Sequence, residues 1–335
     1  MDLSIILVNY KSPQLVLGCI ESIVRETKTV SYEIIVVDNH SGDNSETIIT
    51  QKYPAVNWIG MRYNAGFARA NNAGMRVAKG DYFLILNTDT IILDGALDRV
   101  VGLFSHDKDA AAAGVQLLNE DGSHQISGAH FVKGGLNFLL PLPYFGKFVR
   151  YWGYRLKSRV PSVTTVPEKM EVDWIVGAFI LTTRDIALKN LMDEDFFMYA
   201  EEIEWCSRLK KAGKLFLYGE PRVIHLGGAT SGTYYETTES ENSKNLWNRK
   251  GRQIMISMML RIRKQYGAGW FLLMLLFFVV EIPVFFLGLL MEKLFRGNKA
   301  RYQWNAFSNY VGNVAQVMKY SPRMLGNKPF FYKVV

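Results

Sequence analysis

Short apolar runs alternate with helix-like segments through the first ninety residues of the chain. Apolar strands are predicted at residues 4–8, 33–38, 56–61 and 82–86. A helix is predicted after Ser12-Pro13, which form an N-cap and first-turn pair, and another from Gly66 to Lys79. Regular alternation of such strands with helices predicts an α/β fold whose mostly parallel, Rossmann-like sheet is flanked by helices on both faces.

A second pattern is the long apolar run at residues 270–291, which is long enough to span a bilayer. Glu281 and Pro283 interrupt it near the middle. Basic residues flank both ends: Arg261, Arg263 and Lys264 before it, and Lys293, Arg296 and Lys299 after it. Because Lys and Arg are enriched on cytoplasmic flanks, the symmetry favours a helical hairpin that is broken at 281–283 and returns to the same side. A helix pair lying in the membrane interface, a single span, and a buried soluble helix pair or oligomer interface are the alternatives.

Composition limits the classes of partner. The 335 residues carry a net charge of +8, which favours phosphates, nucleotides or an acidic membrane surface. Nucleic acid is not expected, because zinc-finger spacing, Lys/Arg tracts and RNA-binding aromatic motifs are missing from the sequence. Cys19 and Cys206 have apolar neighbours and are predicted to be buried thiols in a reducing compartment. The chain begins as a strand without a signal-peptide pattern, so we expect a cytosolic catalytic part.

Two strand ends carry candidate chemistry. Asn87-Thr88-Asp89 follows the fourth apolar strand, and ligands of open α/β sheets bind beyond such strand ends. The Asp89 carboxylate could hold a hard divalent cation and, through it, a diphosphate, or it could cap the next turn. Asp38 ends the second strand. It could accept a hydrogen bond from a pyrimidine ring N–H, or form an Asx-turn with residues 39–43.

The positions of the glycines limit the classes of ligand that the predicted sheet could bind. The turn from Asn9 to Pro13 contains no glycine, which argues against the nicotinamide or flavin fingerprint, and a P-loop is absent from the sequence. Asn64-Ala65-Gly66-Phe67 opens the helix that carries Asn71. Its glycine and helix N-terminal N–H groups favour an anion, while the alternative is a plain glycine turn.

Six motifs in order resemble family-2 inverting glycosyltransferases of the bacterial rhamnosyltransferase-like branch. They are Val8-Asn9-Tyr10, Val37-Asp38-Asn39-x-Ser41-x-Asp43, Asn64-x-Gly66-Phe67-x-x-x-Asn71-Asn72-x-Gly74, Leu86-Asn87-Thr88-Asp89, the Val172–Phe179 and Asp195–Arg208 stretches taken together, and His225-x-Gly227-Gly228-x-Thr230-Ser231. The resemblance covers about residues 1–250. It implies a GT-A fold, a nucleoside-diphosphate-sugar donor and a divalent metal, Mg²⁺ or Mn²⁺.

The resemblance also implies roles for individual residues. The donor would be bound by Val8, Asn9, Tyr10, Asp38, Asn64, Gly66, Phe67, Asn71, Asn87, Thr88 and Asp89. The acceptor would contact Trp174, Gly177 and Glu201, the metal would be held by Asp89 and His225, and Glu202 would be the general base.

The chain departs from the family pattern at two positions. Asn87 stands at the first position of the usual Asp-x-Asp metal motif, so metal binding would lean on His225, whose imidazole suits Mn²⁺-like ions and whose alternative is a structural histidine. Glu201-Glu202 stands where the branch has Glu-Asp, which leaves the choice of base between the two open. A helix over residues 199–212 would place Glu202 on an apolar stripe with Cys206, which should raise its pKa; alternatively the acids only stabilise the helix N-terminus.

We therefore predict a GT-A domain over residues 1–245, with a nucleotide-binding half at 1–118 and an acceptor and catalytic half at 119–245. Residues 246–335 form a helical region with a membrane segment at about 268–295. The predicted function is inverting transfer of a sugar, with dTDP-L-rhamnose as favoured donor, to a polyprenyl-diphosphate-linked saccharide at the cytoplasmic face of the cell membrane, in cell-wall polysaccharide synthesis. The alternatives are a sugar nucleotidyltransferase, a non-catalytic membrane-associated scaffold and a processive synthase, and homo-oligomerisation is left open.

Overall fold

The computed structural model describes residues 1–131, 139–155, 161–227 and 245–334, which form two compact units. The first unit takes its described residues from Met1–His130, Pro161–Glu194 and Glu201–Asn242. The second takes them from Phe131–Val160, Asp195–Ala200 and Ser243–Val335. The second unit thus combines the C-terminal part of the chain with two segments from its middle.

The described strands and helices follow in chain order. They are β1 (Leu3–Asn9), α1 (Pro13–Glu26), β2 (Tyr32–Asp38), α2 (Ser45–Lys52), β3 (Asn57–Gly60), α3 (Gly66–Val77), β4 (Tyr82–Leu86), β5 (Thr90–Ile92), α4 (Ala96–His106), β6 (Ala110–Leu118), β7 (Gly128–Ala129), α5 (Phe145–Arg155), β8 (Ser162–Val163), β9 (Lys169–Val172), β10 (Trp174–Ile175), β11 (Phe179–Thr183), α6 (Arg184–Lys189), α7 (Glu201–Leu209), β12 (Lys214–His225), α8 (Arg249–Tyr266), α9 (Ala268–Arg296), a short 3₁₀ turn (Gly297–Lys299) and α10 (Trp304–Leu325).

The first unit is built on one large sheet whose strand order is β3-β2-β1-β4-β11-β6-β12-β5, with β9 also paired to β12. The first four strands are parallel. Strand β11 then runs antiparallel to both β4 and β6, and β12 runs parallel to β6. A small antiparallel sheet joins β10, β7 and β8. The predicted α/β class is confirmed, and the antiparallel neighbours come from the second half of the unit.

Side chains that alternate along the central strands fill a core on each face of this sheet. Ile5 and Leu7 of β1 are buried with residues of α1 and α4, whereas Ile6 is buried with residues of α3. This period of two is what a strand covered on both faces requires. At Gly74 of α3 an added Cβ would lie 2.6 Å from Ile6 Cγ2, so glycine permits this helix to approach the sheet closely. Helices therefore cover both faces, as the alternation predicted.

Two smaller predictions have different outcomes. Cys19 and Cys206 are free and buried, which confirms the prediction of buried thiols. Ser12 occupies the N-cap position of α1, but its side chain does not cap the helix. Its hydroxyl instead donates to Asn9 Oδ1 at 3.3 Å, which ties the first turn of α1 to the end of β1.

The second unit contains α5 and the helices α8, α9 and α10. The predicted break at 281–283 is wrong, because α9 runs as one helix of 29 residues with Pro283 inside it. Glu281 is fully buried, and its carboxylate accepts hydrogen bonds from the backbone N–H groups of Tyr144 (2.5 Å) and Phe145 (3.1 Å). The acid is thus satisfied without a break. Pro283 removes one helical hydrogen bond, which packing of the buried apolar stripe offsets.

Candidate active site

The carboxyl ends of the parallel strands form the edge where the predicted donor residues lie. Asn9 of β1 is in register with Asp38 of β2, and Leu7 is in register with Leu86 of β4. Asn87-Thr88-Asp89 therefore begins at the same edge, one residue beyond β4. The topology explains this convergence, since strands joined by helices on the sheet faces all end on one side.

Asp38 is the centre of a compact hydrogen-bond cluster. Its Oδ1 accepts from Asn9 Nδ2 (2.8 Å) and from Ser41 Oγ (2.5 Å), and its Oδ2 accepts from the backbone N–H of Ser41 (3.0 Å). This is the Asx-turn alternative, which the structure contains. Asn9 is buried, whereas Val8 and Tyr10 are partly exposed. A contact from Asp38 to a base stays a prediction, and it would use the remaining lone pair of Oδ2.

Asn39 connects the end of β2 to the start of α3. Its Oδ1 accepts from the backbone N–H of Ala65 (2.7 Å), and its Nδ2 donates to Asn64 Oδ1 (3.0 Å). Gly66 has a φ of +76°, a conformation that strongly favours glycine. Asn39 was predicted only as a member of the motif, but its side chain positions the loop that carries Asn64 and Gly66.

Within α3, Asn71 is fully buried, with Phe67 one turn before it partly buried. Its Nδ2 donates to the Phe67 carbonyl at 3.0 Å, while its Oδ1 is buried with no hydrogen-bond partner among the described residues. An unpaired buried amide oxygen costs free energy unless a ligand or water donates to it. The neighbouring Asn72 instead bonds Met192 and Glu194, which is a structural role.

Asp89 and His225 face each other at this edge. His225 ends β12 in register with Thr90 of β5, and its Nε2 lies 3.4 Å from Asp89 Oδ1 and 3.4 Å from Asn87 Nδ2. Both side chains are mostly buried, with 4% of Asp89 and 12% of His225 exposed. The two residues that the resemblance implies as metal ligands are therefore neighbours, although they are 136 positions apart in sequence.

Gln125 determines which imidazole nitrogen carries the proton. Its Oε1 lies 2.7 Å from His225 Nδ1, and because a carboxamide oxygen only accepts, Nδ1 must be the donor. The Nε2 lone pair then points to Asp89. The Gln125 side chain is itself held in place, because its own amide nitrogen, Gln125 Nε2, donates to Asn119 Oδ1 (2.9 Å) and to the His225 carbonyl (3.1 Å). Gln125 was not among the predicted site residues, because it belongs to none of the motifs.

This pair fits a divalent cation whose coordination is completed by a ligand. The described residues hold no group of three or more His, Cys, Asp and Glu side chains that could bind a metal. Mg²⁺ is typically bound by one or two protein ligands together with substrate phosphates and water. An acid and a neutral imidazole with its lone pair directed inward supply that limited set of donors.

The acceptor-side residues approach the same edge. The backbone N–H of Asn87 donates to the Ala178 carbonyl at 3.0 Å. An added Cβ on the adjacent Gly177 would lie 3.4 Å from Glu202 Cβ and Cγ, so this residue rests directly against Glu202. Trp174 lies in β10, which packs beside α7. Contacts thus lead from the metal-ligand pair through Asn87 and Gly177 to Glu202.

The adjacent acids at the start of α7 differ in environment. Glu201 is 4% exposed, and its Oε2 has no hydrogen-bond partner among the described residues. Burial, and secondly the charge of Glu202, raise the pKa of Glu201 well above its ordinary value. Glu202 is partly exposed. Glu204 instead forms a two-bond ion pair with Arg208 (2.8 and 2.9 Å). The desolvation predicted for Glu202 is therefore strongest at Glu201, and the identity of the base stays a prediction.

A comparison with known protein families identifies the N-terminal half of the chain. A model described as "Glycosyl transferase family 2" matches residues 4–164. This part of the chain belongs to glycosyl transferase family 2. The matched region contains β1 to β6 and, with them, every predicted donor residue and Gln125.

Named relatives support the same family. The chain is 26% identical over 208 residues to N-acetylglucosaminyl-diphospho-decaprenol L-rhamnosyltransferase of Mycobacterium tuberculosis, covering 57% of this chain and 66% of that protein. It is 28% identical over 194 residues to rhamnosyltransferase WbbL of Escherichia coli, covering 54% and 67%. The chain thus spans just under two thirds of the mycobacterial relative. Among solved structures it resembles GalNAc-T7 with UDP, GalNAc and Mn²⁺, at 15% identity and a TM-score of 0.49, over 67% of this chain and 43% of that one.

The predicted membership in family 2 and likeness to its rhamnosyltransferase-like branch are confirmed. The roles of single residues stay predictions. Gly227 has a φ of +67° directly after β12 and Leu226, which suits the predicted glycine turn. The rest of that motif, Gly228, Thr230 and Ser231, lies outside the described residues.

Proposed function

We propose that this protein transfers L-rhamnose from dTDP-L-rhamnose to a polyprenyl-diphosphate-linked saccharide, with inversion, in cell-surface polysaccharide synthesis. The donor sugar is supported by two relatives that are named as rhamnosyltransferases. The acceptor class is supported by the mycobacterial relative, whose name specifies a decaprenyl-diphosphate-linked N-acetylglucosamine. The reaction would take place at the cytoplasmic face of the membrane, and the excess of basic residues suits both the anionic donor and that surface.

The observation that carries the proposal is the convergence of candidate ligands and acids at one sheet edge. Asp89 and His225 lie 3.4 Å apart there. Asn87, whose side chain faces His225, is bonded through its backbone to Ala178, next to the glycine that rests on Glu202. A donor diphosphate and an acceptor hydroxyl could therefore be held by neighbouring elements of the same unit, as an in-line displacement requires.

In the proposed mechanism Asp89 and His225 would hold Mg²⁺ or Mn²⁺, which when bound would supply Lewis-acid stabilisation of the diphosphate leaving group. Glu202, partly exposed, accepts the proton of the acceptor hydroxyl. The acceptor oxygen attacks the anomeric carbon from the face opposite the diphosphate, which inverts the configuration. Burial, and secondly the charge of Glu202, raise the pKa of Glu201, which disfavours the charged form of that acid and leaves Glu202 as the candidate base.

The proposal is tested with the full chain, a panel of nucleoside-diphosphate sugars and a polyprenyl-diphosphate-linked saccharide. Mass spectrometry of the lipid product identifies the transferred sugar, and NMR determines its anomeric configuration. We expect transfer from dTDP-L-rhamnose with inversion. Transfer of another sugar would reject L-rhamnose alone, while formation of a nucleotide sugar from a sugar phosphate would favour the nucleotidyltransferase alternative.

A pair of matched variants tests the base. Glu202→Gln should lower kcat by roughly 10²–10⁴-fold, the usual contribution of a general base, and leave donor binding intact. Glu201→Gln should lower kcat less, because a buried protonated acid is replaced by a neutral amide of similar shape. If the larger loss falls on Glu201→Gln, the base has been assigned to the wrong one of the two acids.

A further inference from the structure

The exposed side of helix α9 is apolar, whereas the exposed side of an amphipathic helix in a soluble protein is polar. Its buried stripe comprises Phe271, Met274, Phe278, Glu281, Phe285 and Leu289. Its exposed positions from Leu272 to Phe295 are all apolar, and those that expose the most surface are Leu272, Leu276, Leu287, Met291, Leu294 and Phe295. Between Ala268 and Met291 the one charged residue, Glu281, thus lies inside, while the exposed residues are apolar.

The buried face is fixed by specific contacts. Glu281 accepts from two backbone N–H groups of the segment that begins α5. Tyr310 of α10 donates its hydroxyl hydrogen to the Phe278 carbonyl at 3.1 Å, and the Phe285 and Phe307 rings lie 5.6 Å apart. The helix therefore cannot turn its apolar outer face inward without losing a satisfied carboxylate and these contacts. A patch of this size is rare on a soluble monomer and indicates an occupant.

The residues of α10 that pack beside α9 limit the orientation that α9 can take relative to a bilayer. Helix α10 packs along α9, and Asn305, Ser308 and Asn309 of α10 are exposed close to Phe307, which contacts Phe285 and Phe286 near the middle of α9. If α9 crossed a bilayer, these three polar side chains would lie near its centre, where they would lack hydrogen-bond partners from water. A helix lying parallel to the surface avoids this cost, because α10 then stays on the water side.

We propose that the outer face of α9 lies in the plane of an anionic membrane, inserted to the boundary between headgroups and acyl chains, about 5–10 Å deep. The exposed face from Leu272 to Phe295 would then contact lipid along its whole length, about 35 Å at 1.5 Å per residue. This inference rests on the proposed function, which places the lipid-linked acceptor at the membrane surface. It adds how the enzyme would be held at that surface.

Charges and aromatic rings around this face favour lipid over a second copy of the chain. Arg296 ends α9, Lys299 and Arg301 follow it, and all three are exposed, as is Arg155 at the end of α5. Each basic group near an anionic surface contributes about 1 kcal/mol of attraction. In a homodimer through this face, the same groups would repel one another.

Helix α5 adds a second apolar set. Phe148, Tyr151 and Trp152 expose 61%, 54% and 44% of their surface, and the spacing of these three positions places them on one side of the helix. The same helix packs on α9 through Phe145, whose ring lies 5.5 Å from that of Phe277. Exposed Trp and Tyr are typical of segments at the membrane interface.

Depth measurements distinguish the in-plane arrangement from a span. Single cysteines at Leu272, Val279, Phe286 and Leu294 are spin-labelled in the full chain, bound to vesicles of phosphatidylglycerol and phosphatidylcholine. Collision with oxygen and with a water-soluble nickel complex gives the depth of each label. We expect four similar depths, within a few ångströms of one another. A span would separate successive labels by about 10 Å and give a maximum at the centre, which would overturn the proposal.

Vesicle flotation tests whether anionic lipid is what binds the exposed face of α9. Leu276→Glu combined with Leu287→Glu, at positions 57% and 58% exposed, should reduce vesicle binding by at least about tenfold without loss of folding. The matched control is Leu103→Glu with Leu188→Glu, 39% and 40% exposed on the first unit, which should bind like the wild type. Wild-type protein should bind vesicles of phosphatidylcholine alone more weakly.

Two outcomes would overturn the proposal. One is unchanged vesicle binding by the variant with charges on α9. The other is a wild-type dimer, measured by light scattering, that the same variant dissociates, since the face would then be a protein interface. Neither measurement uses sugar transfer, so failure of the proposed function would leave the result of this test readable.

Discussion

Gln125 should control the affinity of the proposed Asp89–His225 site for a divalent metal although it is not itself a ligand. The change to make is Gln125→Leu, which keeps most of the side-chain volume and removes the acceptor at 2.7 Å from His225 Nδ1. Without that acceptor the proton can move to Nε2. The Nε2–H group would then point to Asp89 Oδ1, 3.4 Å away, and would occupy the lone pair that the cation needs.

The expected size follows from what such supporting hydrogen bonds contribute elsewhere. Removing the partner of a ligating histidine typically weakens metal binding by about 10–100-fold, or about 1.4–2.7 kcal/mol. We expect the upper part of this range, because His225 is one of only two metal-ligand candidates brought together at this edge in the described part of the chain. Gln125→Glu retains an acceptor at the same place and should preserve most of the affinity.

Two measurements check this prediction. Titration calorimetry of Mn²⁺ with saturating nucleoside diphosphate gives the affinity, and ¹⁵N spectra of the imidazole identify the protonated nitrogen in the metal-free protein. Asn119→Ala is the control, since it removes the bond at 2.9 Å that supports Gln125 from behind and a bond to Ser123, but leaves the contact between Gln125 and His225 in place. Unchanged Mn²⁺ affinity in Gln125→Leu, together with an unchanged tautomer, would refute the reasoning.

Three further predictions concern the strand-end acids and α7. Asp89→Asn should lower kcat by roughly 10²-fold or more and weaken Mn²⁺ binding; full activity with unchanged metal dependence would show that Asp89 is not a ligand. Asp38→Ala should raise the donor KM more than it lowers kcat, and Ser41→Ala, which removes the hydroxyl bond to Asp38 but keeps the carboxylate, should not. Because burial raises the pKa of Glu201, its neutral form stabilises the fold at low pH. As pH rises from about 4.5 to the raised pKa, the wild type should lose about 1.4 kcal/mol per pH unit relative to Glu201→Gln. Parallel denaturation profiles of these two proteins would contradict this.

The parallel half of the sheet could be predicted because its strands are buried on both faces. A run such as Tyr82–Leu86 has no alternative pattern, and its bounds in the structure are the predicted ones. The strand expected around Val172–Phe179 is instead divided between β9, β10 and β11. Strands of two residues have no periodicity to detect, and their pairing depends on partners such as Ala129 that are remote in sequence.

Part of the candidate site could be predicted without the family resemblance, where an ionisable residue stands at a strand end. Asp38, Asp89 and His225 were visible in this way, because charged groups after apolar strands are unusual. Gln125 and Asn39 are neutral amides in loops, and such residues are common on protein surfaces. Their roles arise from partners 100 and 26 positions away, and no local pattern encodes a contact of that kind.

Helix α9 shows why a strong pattern can still be misinterpreted. Glu281 and Pro283 were taken as signs of a break, because a charged residue in an apolar run is costly and proline removes a hydrogen bond. Both costs depend on surroundings that the sequence does not give. Glu281 lies on the stripe that faces the rest of the unit, and two backbone N–H groups donate hydrogen bonds to its carboxylate there. Pro283 lies on the opposite, exposed face. Within the apolar stretch of α9 from Ala268 to Met291, the single charged position marks the inner face, so a buried acid in such a stretch indicates which side the membrane does not contact.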